Sequence, residues 1–313
     1  MPYKNKPQVF PAKINAMELG TGDQKIVIGG ENTYNFYTFD AACENPPKVG
    51  VEISDLGLEG CTEGLKEFYA GAETIPEMAK KACAMEGADF IALKFDSADP
   101  NAGNTSVEDC VTLAKEVAEA IDKPLVIMGC KNIEKDAQLF DRIADALQGK
   151  NVLFLSAKEE NYKTVGASVG LAYGQKVGAE SAVDINLAKQ LNVLMTQLGV
   201  APENMAVNLG SAAAGYGFEY VASTLERVKS AALSQNDKML QMPIVTPVSS
   251  ETWSVKEALA SEEDMPEWGS REERGVQMEI VTAAACLAAG SDAVILKHPT
   301  SVATISALVG ALM

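Results

Sequence analysis

The sequence predicts a (β/α)8 TIM barrel preceded by an N-terminal extension that contains a β-hairpin. Eight short apolar segments occur between residue 47 and the end of the 313-residue chain, and a segment with helical periodicity follows each of them. Such even alternation is typical of parallel barrels, whereas a doubly wound open sheet, the alternative, rarely repeats the unit eight times. The first 46 residues lack this alternation. We therefore expect two parts, an extension of residues 1–46 and a barrel of residues 47–313.

The extension is expected to form one hairpin, because two β-like segments, 8–19 and 24–33, flank the turn signal Gly-Thr-Gly-Asp. The barrel helices show ordinary start signals, such as Ser106 ahead of the helical segment 106–122. The eight barrel strands are predicted, in chain order, at 47–55, 90–97, 124–130, 151–157, 181–186, 205–210, 242–249 and 292–298.

The predicted barrel interior is polar. Side chains of a strand alternate between the lumen and the helix layer, so we assign the apolar ones to the helices. The lumen then receives Glu52, Lys94, Asp96, Asp184, Asn186 and Asn208. Barrel interiors are usually filled by bulky branched residues, so this set indicates either a satisfied polar layer or the floor of a ligand site. A Schiff-base lysine, Lys94 or Lys297, is disfavoured, because a lysine flanked by carboxylates such as Glu52 and Asp184 stays charged.

Three long loops are expected at the carboxyl ends of the strands, the face on which barrel enzymes build their sites. They span about 55–74, 211–220 and 249–271. The last one holds Trp253, Trp268 and the acidic run 262–264. Tryptophan is a common interface anchor, so we expect an aromatic and acidic rim for a partner or a flat cofactor. The alternative is that both tryptophans only pin the loop.

Charge and composition exclude several classes of function. The formal charge of −17 argues against nucleic acids and anionic membrane surfaces, which require clustered Lys and Arg. No run of about 20 apolar residues predicts a membrane span, and the N-terminus lacks the apolar core of a signal peptide. We therefore expect a cytoplasmic protein.

The metal-ligating residues are few and scattered. The six cysteines form no C-x-x-C pair, which argues against a zinc clip or an iron–sulfur site on this chain. The single histidine, His298, excludes H-E-x-x-H metal sites, and no G-x-S-x-G motif accompanies it to suggest a serine hydrolase.

Several stretches nevertheless resemble one family. They are PKVGVEISD, ADFIALKFDSADPN, KPLVIMGCKN, NYKTVGASVG, QMPIVTPVSSETW and SDAVILKHP. With them, the whole chain resembles the small subunit of the corrinoid iron–sulfur protein, whose archaeal counterpart is the delta subunit of the acetyl-CoA decarbonylase/synthase complex. The resemblance implies a methyl carrier of the reductive acetyl-CoA (Wood–Ljungdahl) pathway, in which this chain is not catalytic alone.

The resemblance further implies a heterodimer with a large subunit that carries a 4Fe-4S cluster and most of the site for a corrinoid (cobalamin-type, with cobalt). The barrel would cap the cobalt face. A methyltetrahydrofolate methyltransferase would load the carrier, and CO dehydrogenase/acetyl-CoA synthase would receive the methyl group. By their positions at strand ends and loops, the candidate corrinoid contacts are Asp96, Asn186, Asn208, Ser211, Ala212, Gly215, Thr246, Lys297 and His298.

An alternative function is that of a pterin-dependent methyltransferase. The enzyme that loads this carrier is itself a similar barrel, and pterin sites of that type use Asp and Asn at strand ends. Asp96, Asn186 and Asn208 match that pattern. Binding of folate by the isolated chain distinguishes the two hypotheses.

Overall fold

The computed structural model describes residues 6–313 and confirms the predicted architecture. Eight parallel strands form a sheet in the order β8-β7-β6-β5-β4-β3-β10-β9, and a bridge between Val207 and Ile244 joins its two edges into a barrel. The strands are β3 (Lys48–Ser54), β4 (Phe90–Lys94), β5 (Leu125–Met128), β6 (Leu153–Ala157), β7 (Lys176–Glu180), β8 (Met205–Asn208), β9 (Val245–Pro247) and β10 (Ala293–Leu296). The extension contains the predicted antiparallel hairpin, β1 (Met17–Leu19) and β2 (Ile26–Ile28).

Helices surround this barrel, and several of them begin at a residue whose side chain caps the first turn. Ser106 accepts a hydrogen bond from the backbone N–H of Asp109, and Thr74 forms a capping box with Glu77. The helices are α1 (Glu63–Phe68), α2 (Ile75–Cys83), α3 (Val107–Ala120), α4 (Ile133–Ala146), α5 (Tyr162–Val165), α6 (Ile185–Leu198), α7 (Phe218–Ser234), α8 (Ser249–Thr252), α9 (Lys256–Leu259), α10 (Arg271–Ala289) and α11 (Pro299–Leu312). No helix within 6–313 is both long and apolar enough to cross a bilayer.

The position of the fifth barrel strand was predicted wrongly. The segment 181–186 was expected to be a strand, but the strand is β7, which ends at Glu180. Its central residue is Gly178, and a Cβ there would lie 2.3 Å from Leu155 Cδ2 of the neighbouring strand. A strand with glycine at its lumen position carries little hydrophobic pattern. Asp184 instead caps α6 by accepting hydrogen bonds from the backbone of the first helical turn.

The lumen has an apolar lower part and a polar mouth. The hairpin packs against the lower part and closes it, because Met17, Leu19 and Ile28 join the same buried cluster as the inward-facing strand residues. Those residues are Phe90, Ala92, Val126, Met128, Leu153, Leu155, Ala206, Val245, Ala293 and Ile295. The apolar residues assigned to the helix layer, such as Val51 and Leu93, lie there as predicted.

A buried charge cluster attaches the extension to the barrel. Lys229 of α7 is fully buried, and its Nζ lies 2.5 Å from carboxylate oxygens of both Glu31 and Asp292. Asp292 also accepts a hydrogen bond from the backbone N–H of Ile244 at 2.7 Å. The extension therefore supplies one of the two carboxylates that neutralise a core lysine.

Candidate functional site

A cavity occupies the mouth of the barrel, at the carboxyl ends of the strands. It has a volume of about 70 Å³ and opens to solvent on one side. Strands β4 to β8 and the loops that follow them provide most of its walls. The polar side chains that line it are Lys94, Lys131, Asp136, Ser156, Lys158, Glu180, Asn208, Ser211, Ser250 and Glu251.

One wall of the cavity is an ion-pair network around Lys94. Its Nζ lies 2.9 Å from Asp96 Oδ1, and Asp96 Oδ2 accepts a hydrogen bond from Ser54 at 2.7 Å. Glu52, which is buried beside them, accepts hydrogen bonds from Ser249 (2.7 Å) and Ser250 (2.9 Å). Burial alone would lower the pKa of Lys94, but Glu52 and Asp96 outweigh it and the pKa is raised. A lysine held charged in this way is a poor Schiff-base nucleophile.

The opposite wall is built around Asn208, at the end of β8. Its amide nitrogen donates to Ser156 Oγ at 3.0 Å, and its amide oxygen accepts from the backbone N–H of Gly210 at 2.9 Å. Glu180, at the end of β7, lies 3.6 Å from Lys158 Nζ. The Ser211 hydroxyl is also buried here, and it has no hydrogen-bond partner among residues 6–313. A buried hydroxyl without a partner is costly, so it fits a ligand that carries a polar group.

Two predicted site residues lie outside the mouth. Asn186 is exposed on α6, because the segment that contains it is helical and not a strand. Thr246 is buried in the middle of β9, and its hydroxyl lies 2.7 Å from that of Ser291. Its neighbour Val245 faces the lumen, so strand alternation turns Thr246 towards the helix layer. The predicted placement of both residues was wrong, as was that of Asp184 as a partner of Lys94.

The remaining predicted residues divide into two groups. Ala212 and Gly215 continue from Ser211 along the loop after β8, which forms one edge of the mouth. Gly215 has a φ of +89°, a left-handed conformation that favours glycine, and a Cβ built at this position would meet no atom within 4 Å. Lys297 and His298 follow β10, but His298 faces a separate groove between α1 and α10. The sequence analysis did not predict four charged residues that line the mouth, although each lies at or shortly after the end of a strand. They are Lys131, Lys158, Glu180 and Glu251.

At that groove, His298 connects the end of β10 to α10 and to the loop that holds Trp253. Its Nε2 lies 2.8 Å from Glu272 of α10, and the Trp253 ring stacks on the imidazole with 6.0 Å between centroids. Glu272 also accepts hydrogen bonds from the Thr62 hydroxyl (3.0 Å) and the backbone N–H of Gly64 (3.1 Å). Burial would raise the pKa of Glu272, but these hydrogen bonds outweigh it and the pKa is lowered. This cluster positions the loop after β3 against α10.

Both tryptophans are partly buried and pack within their own loop and against α10, which favours the alternative that they pin the loop. Trp253 lies directly on Gly275 of α10, where a Cβ would come within 2.3 Å of ring atom Cζ3. Two cations contact the Trp268 ring, with Lys256 Nζ 5.0 Å and the Arg274 guanidinium 5.7 Å from its centroid. Both rings therefore stabilise the segment that joins β9 to α10.

A buried carboxylate, Glu279 of α10, supports the end of β10. It accepts hydrogen bonds from the backbone N–H groups of Lys297 (2.7 Å) and His298 (3.2 Å). The Ser301 hydroxyl and the Trp253 indole face the same group. Complete burial raises the pKa of Glu279 to about 7, although these donors oppose the shift.

We expect Glu279→Gln to remove a pH dependence of stability. The carboxyl titrates at 4.5 in its reference state and near 7 in the fold, so folding takes up about one proton between these values. The protonated Glu279 carboxyl therefore stabilises the fold fully below pH 4.5, the reference pKa. This stabilisation is lost as the pH rises from there through the folded-state pKa of about 7, by at most about 1.4 kcal/mol per pH unit. Urea unfolding of both proteins from about pH 5 to pH 8 measures this slope. An unchanged slope in the variant would contradict the assignment.

The fold defines the class of this protein as a TIM barrel, and dihydropteroate synthases are among the solved structures with a similar fold. Dihydropteroate synthase structures from Xanthomonas albilineans, with 4-aminobenzoic acid, and from Vibrio fischeri ES114 superpose with TM-scores of 0.60 and 0.59. Each match covers 95% of this chain and 98% of the other, at 12% sequence identity. Identity this low establishes a shared fold and leaves the reaction open.

Sequence comparison then identifies the family. The family model described as CO dehydrogenase/acetyl-CoA synthase delta subunit (CdhD) matches residues 16–298. The acetyl-CoA decarbonylase/synthase complex subunit delta 2 of Methanosarcina acetivorans is 32% identical over 305 residues, which cover 95% of this chain and 69% of that protein. The subunit delta of Methanocaldococcus jannaschii is 30% identical over 304 residues, 95% of this chain and 73% of that protein. This chain belongs to the CO dehydrogenase/acetyl-CoA synthase delta subunit family, as the resemblance of its strand segments indicated.

Proposed function

We propose that this chain is the small subunit of a heterodimeric corrinoid iron–sulfur methyl carrier, and that its barrel mouth caps the cobalt face of a corrinoid held mainly by the large subunit. In this proposal the 4Fe-4S cluster also belongs to the large subunit. Family membership supports a place in acetyl-CoA chemistry. When bound, the corrinoid supplies cobalt-centred methyl chemistry between a methyltetrahydrofolate methyltransferase and CO dehydrogenase/acetyl-CoA synthase.

The observation that carries this proposal is the pairing of all three lysines that line the mouth with carboxylates. Lys94 pairs with Asp96, Lys158 with Glu180, and Lys131 with Glu251 at 3.2 Å. Groups that neutralise one another are poorly suited to serve as general acids, bases or nucleophiles. A surface that shields a reactive cofactor needs this inert character, because the chemistry belongs to the cofactor.

The residues at the mouth also fit the periphery of a corrinoid, which carries amide side chains. Ser211 offers a buried hydroxyl without a partner among residues 6–313. It lines the same cavity as Asn208, whose amide is oriented by hydrogen bonds to Ser156 and Gly210. The loop from Ala212 to Gly215 has only small side chains, so it allows a flat ring to approach closely. In this role the chain binds, orients and excludes water, and it moves no proton itself.

A pterin-dependent methyltransferase is the second candidate function. Glu180 and Asn208 lie at neighbouring strand ends, and a carboxylate beside an amide can bind an amino-pyrimidine edge. Among the solved structures of similar fold, one is a Yersinia pestis enzyme described with a pterine-sulfa conjugate. In this chain, however, both side chains already bond to neighbours, Glu180 to Lys158 and Asn208 to Ser156.

Two titrations separate these functions. We expect calorimetry of the isolated chain with methyltetrahydrofolate to show no binding, and the visible spectrum of the purified, corrinoid-loaded large subunit to change when the chain is added. Folate binding without a spectral change would favour the methyltransferase and contradict the cap.

A bulky side chain at the barrel mouth is expected to weaken binding of this chain to the corrinoid-loaded large subunit. Ser211→Phe would fill the buried position of the hydroxyl, so the chain concentration needed for the spectral change should rise at least about tenfold. Ser234→Phe is the matched control, because Ser234 is exposed at the end of α7. Equal effects of both substitutions would contradict a corrinoid contact at Ser211.

A further inference from the structure

The cavity at the barrel mouth is too small for a whole cofactor and large enough for a short side group. Its volume of about 70 Å³ has room for a few water molecules, whereas pockets that enclose a drug-sized ligand measure roughly 300–1,000 Å³. Because the cavity opens to solvent on one side, a group that projects from a larger ligand can enter it. The cavity is therefore suited to a projecting group of a few atoms.

The charges around the cavity favour a neutral group. Three lysines and three carboxylates line it, namely Lys94, Lys131, Lys158, Asp136, Glu180 and Glu251, so the lining charges sum to zero. Each lysine is already paired with a carboxylate, at 2.9, 3.2 and 3.6 Å. A charged ligand group would lose its hydration there without meeting an uncompensated opposite charge, and a neutral group avoids most of that cost.

Two serine hydroxyls on the inner wall have hydrogen-bonding capacity to spare. Ser156 Oγ accepts a hydrogen bond from the Asn208 amide at 3.0 Å, and no acceptor for its own proton is found among residues 6–313. The Ser211 hydroxyl has no partner in the same part of the chain. Asn208 joins the two serines, because its amide oxygen also accepts from the backbone N–H of Gly210, the residue before Ser211. This wall therefore offers hydroxyl donors.

Glu180 offers acceptors on the same wall. It is directly opposite Asn208 in the register of β7 and β8. Its carboxylate oxygens lie 3.6 Å from Lys158 Nζ and 3.5 Å from the Asn208 amide nitrogen, so both contacts are long. Since a carboxylate has about four lone-pair sites, Glu180 can accept a further hydrogen bond.

A primary carboxamide matches this combination of size, neutrality, donors and acceptors. Its carbonyl oxygen accepts hydrogen bonds and its NH2 group donates them. A carboxylate has no donor and would be repelled by Glu180, and an ammonium has no acceptor and would be repelled by the lysines. A lone hydroxyl group fills less of the cavity and donates a single hydrogen bond.

We propose that the mouth cavity binds one primary carboxamide on a short apolar stem, with its carbonyl oxygen towards the Ser156 and Ser211 hydroxyls and its NH2 group towards Glu180. The inference rests on the proposed function in its choice of source, which is an amide side chain at the periphery of the corrinoid. An Asn or Gln side chain of a partner protein has the same chemistry, and the test distinguishes these two sources.

The test uses the isolated full chain and two small probes, so it does not require the large subunit. We expect propionamide, followed by NMR of the isotope-labelled chain, to bind with a dissociation constant of about 1–10 mM, and propionate to bind at least about tenfold more weakly. Ser211→Ala should weaken binding of propionamide about fivefold. Ser234→Ala is the matched control, because Ser234 is exposed at the end of α7, and it should change nothing. Thermal unfolding of each variant confirms that it is folded.

Glu180→Gln tests the charge argument. The substitution leaves Lys158 without its carboxylate, so the lining charges sum to +1 instead of zero. The preference for propionamide over propionate should then shrink at least about tenfold or reverse. A role of Glu180 confined to packing would leave the ratio of the two dissociation constants unchanged.

The proposal would be overturned by no shift at about 100 mM propionamide, by equal affinity for propionate or by equal losses in Ser211→Ala and Ser234→Ala. Tighter binding of isocytosine, which reproduces the amino-pyrimidine edge of a pterin, would also overturn it and would favour the methyltransferase.

These outcomes are separable from those of the cap. If only the amide site fails, the spectrum of the corrinoid-loaded large subunit still responds to the chain. If only the cap fails, that spectrum does not respond, and propionamide still binds to the isolated chain. If both stand, propionamide should lower the affinity of the chain for the corrinoid-loaded large subunit and not for the corrinoid-free one. An equal effect on both would overturn the corrinoid as the source of the amide and assign it to a protein side chain.

Discussion

Replacing Lys229 by Met is expected to lower the free energy of unfolding by about 3–5 kcal/mol. The lysine is fully buried and bridges Glu31 of the extension to Asp292 ahead of β10. Methionine fills a similar volume, so the loss arises mainly from two carboxylates left in the core without a cation. Burial would lower the pKa of Lys229, but the two carboxylates outweigh it and raise the pKa, so the ammonium stays charged.

The matched control is Lys189→Met. Lys189 Nζ lies 2.6 Å from Asp237, but half of the lysine side chain is exposed. Its removal should cost at most about 1 kcal/mol, because water solvates both charges. Urea unfolding of the two variants and the parent chain gives the comparison. Equal losses would contradict the claim that the buried cluster holds the extension to the barrel.

Replacing Trp253 by Ala is expected to lower the free energy of unfolding by about 2–4 kcal/mol while leaving partner affinities unchanged. The ring fills the space above Gly275 and stacks on His298, so its loss opens a cavity between the loop, α10 and the end of β10. Urea unfolding measures the first quantity, and titration with the large subunit measures the second.

Trp268→Ala serves as the comparison for Trp253→Ala. Trp268 contacts the cationic side chains of Lys256 and Arg274 near the surface, so its removal should cost only about 1 kcal/mol. If Trp253→Ala instead weakened partner binding without a loss of stability, the ring would be an interface anchor and the packing account would be wrong.

The sequence predicts most of the barrel because hydrophobic pattern and local capping agree along most of the chain. Seven of the eight predicted strands overlap a strand of the barrel, and Ser106 marks a helix start by its type and position. The fifth strand, β7, is missed because its lumen-facing residue is Gly178 and the Leu155 side chain of the adjacent strand β6 fills the space where a side chain of β7 would lie. Asp184, just ahead of an apolar helical segment, is the N-cap signal that could have corrected the error.

The site was predicted only in part, since side-chain surroundings depend on distant residues. The position of Asn208 at the mouth was predicted correctly because the apolar pattern of β8 shows where this strand ends. Thr246 was misplaced because β9 has only three residues, too few for their pattern to show which side chains face the lumen. The pairing of β9 with β10 determines that orientation. The environment of Trp253 depends on Gly275, a contact between separate elements that periodicity does not encode.

The most direct test of the proposed carrier function is purification of the untagged chain from its own cells without oxygen, followed by its mass and visible spectrum. The account predicts a complex with a larger subunit that shows corrinoid bands and a broad iron–sulfur shoulder. A colourless homo-oligomer would contradict it and would direct attention to Glu180 and Asn208 as a pterin or substrate site.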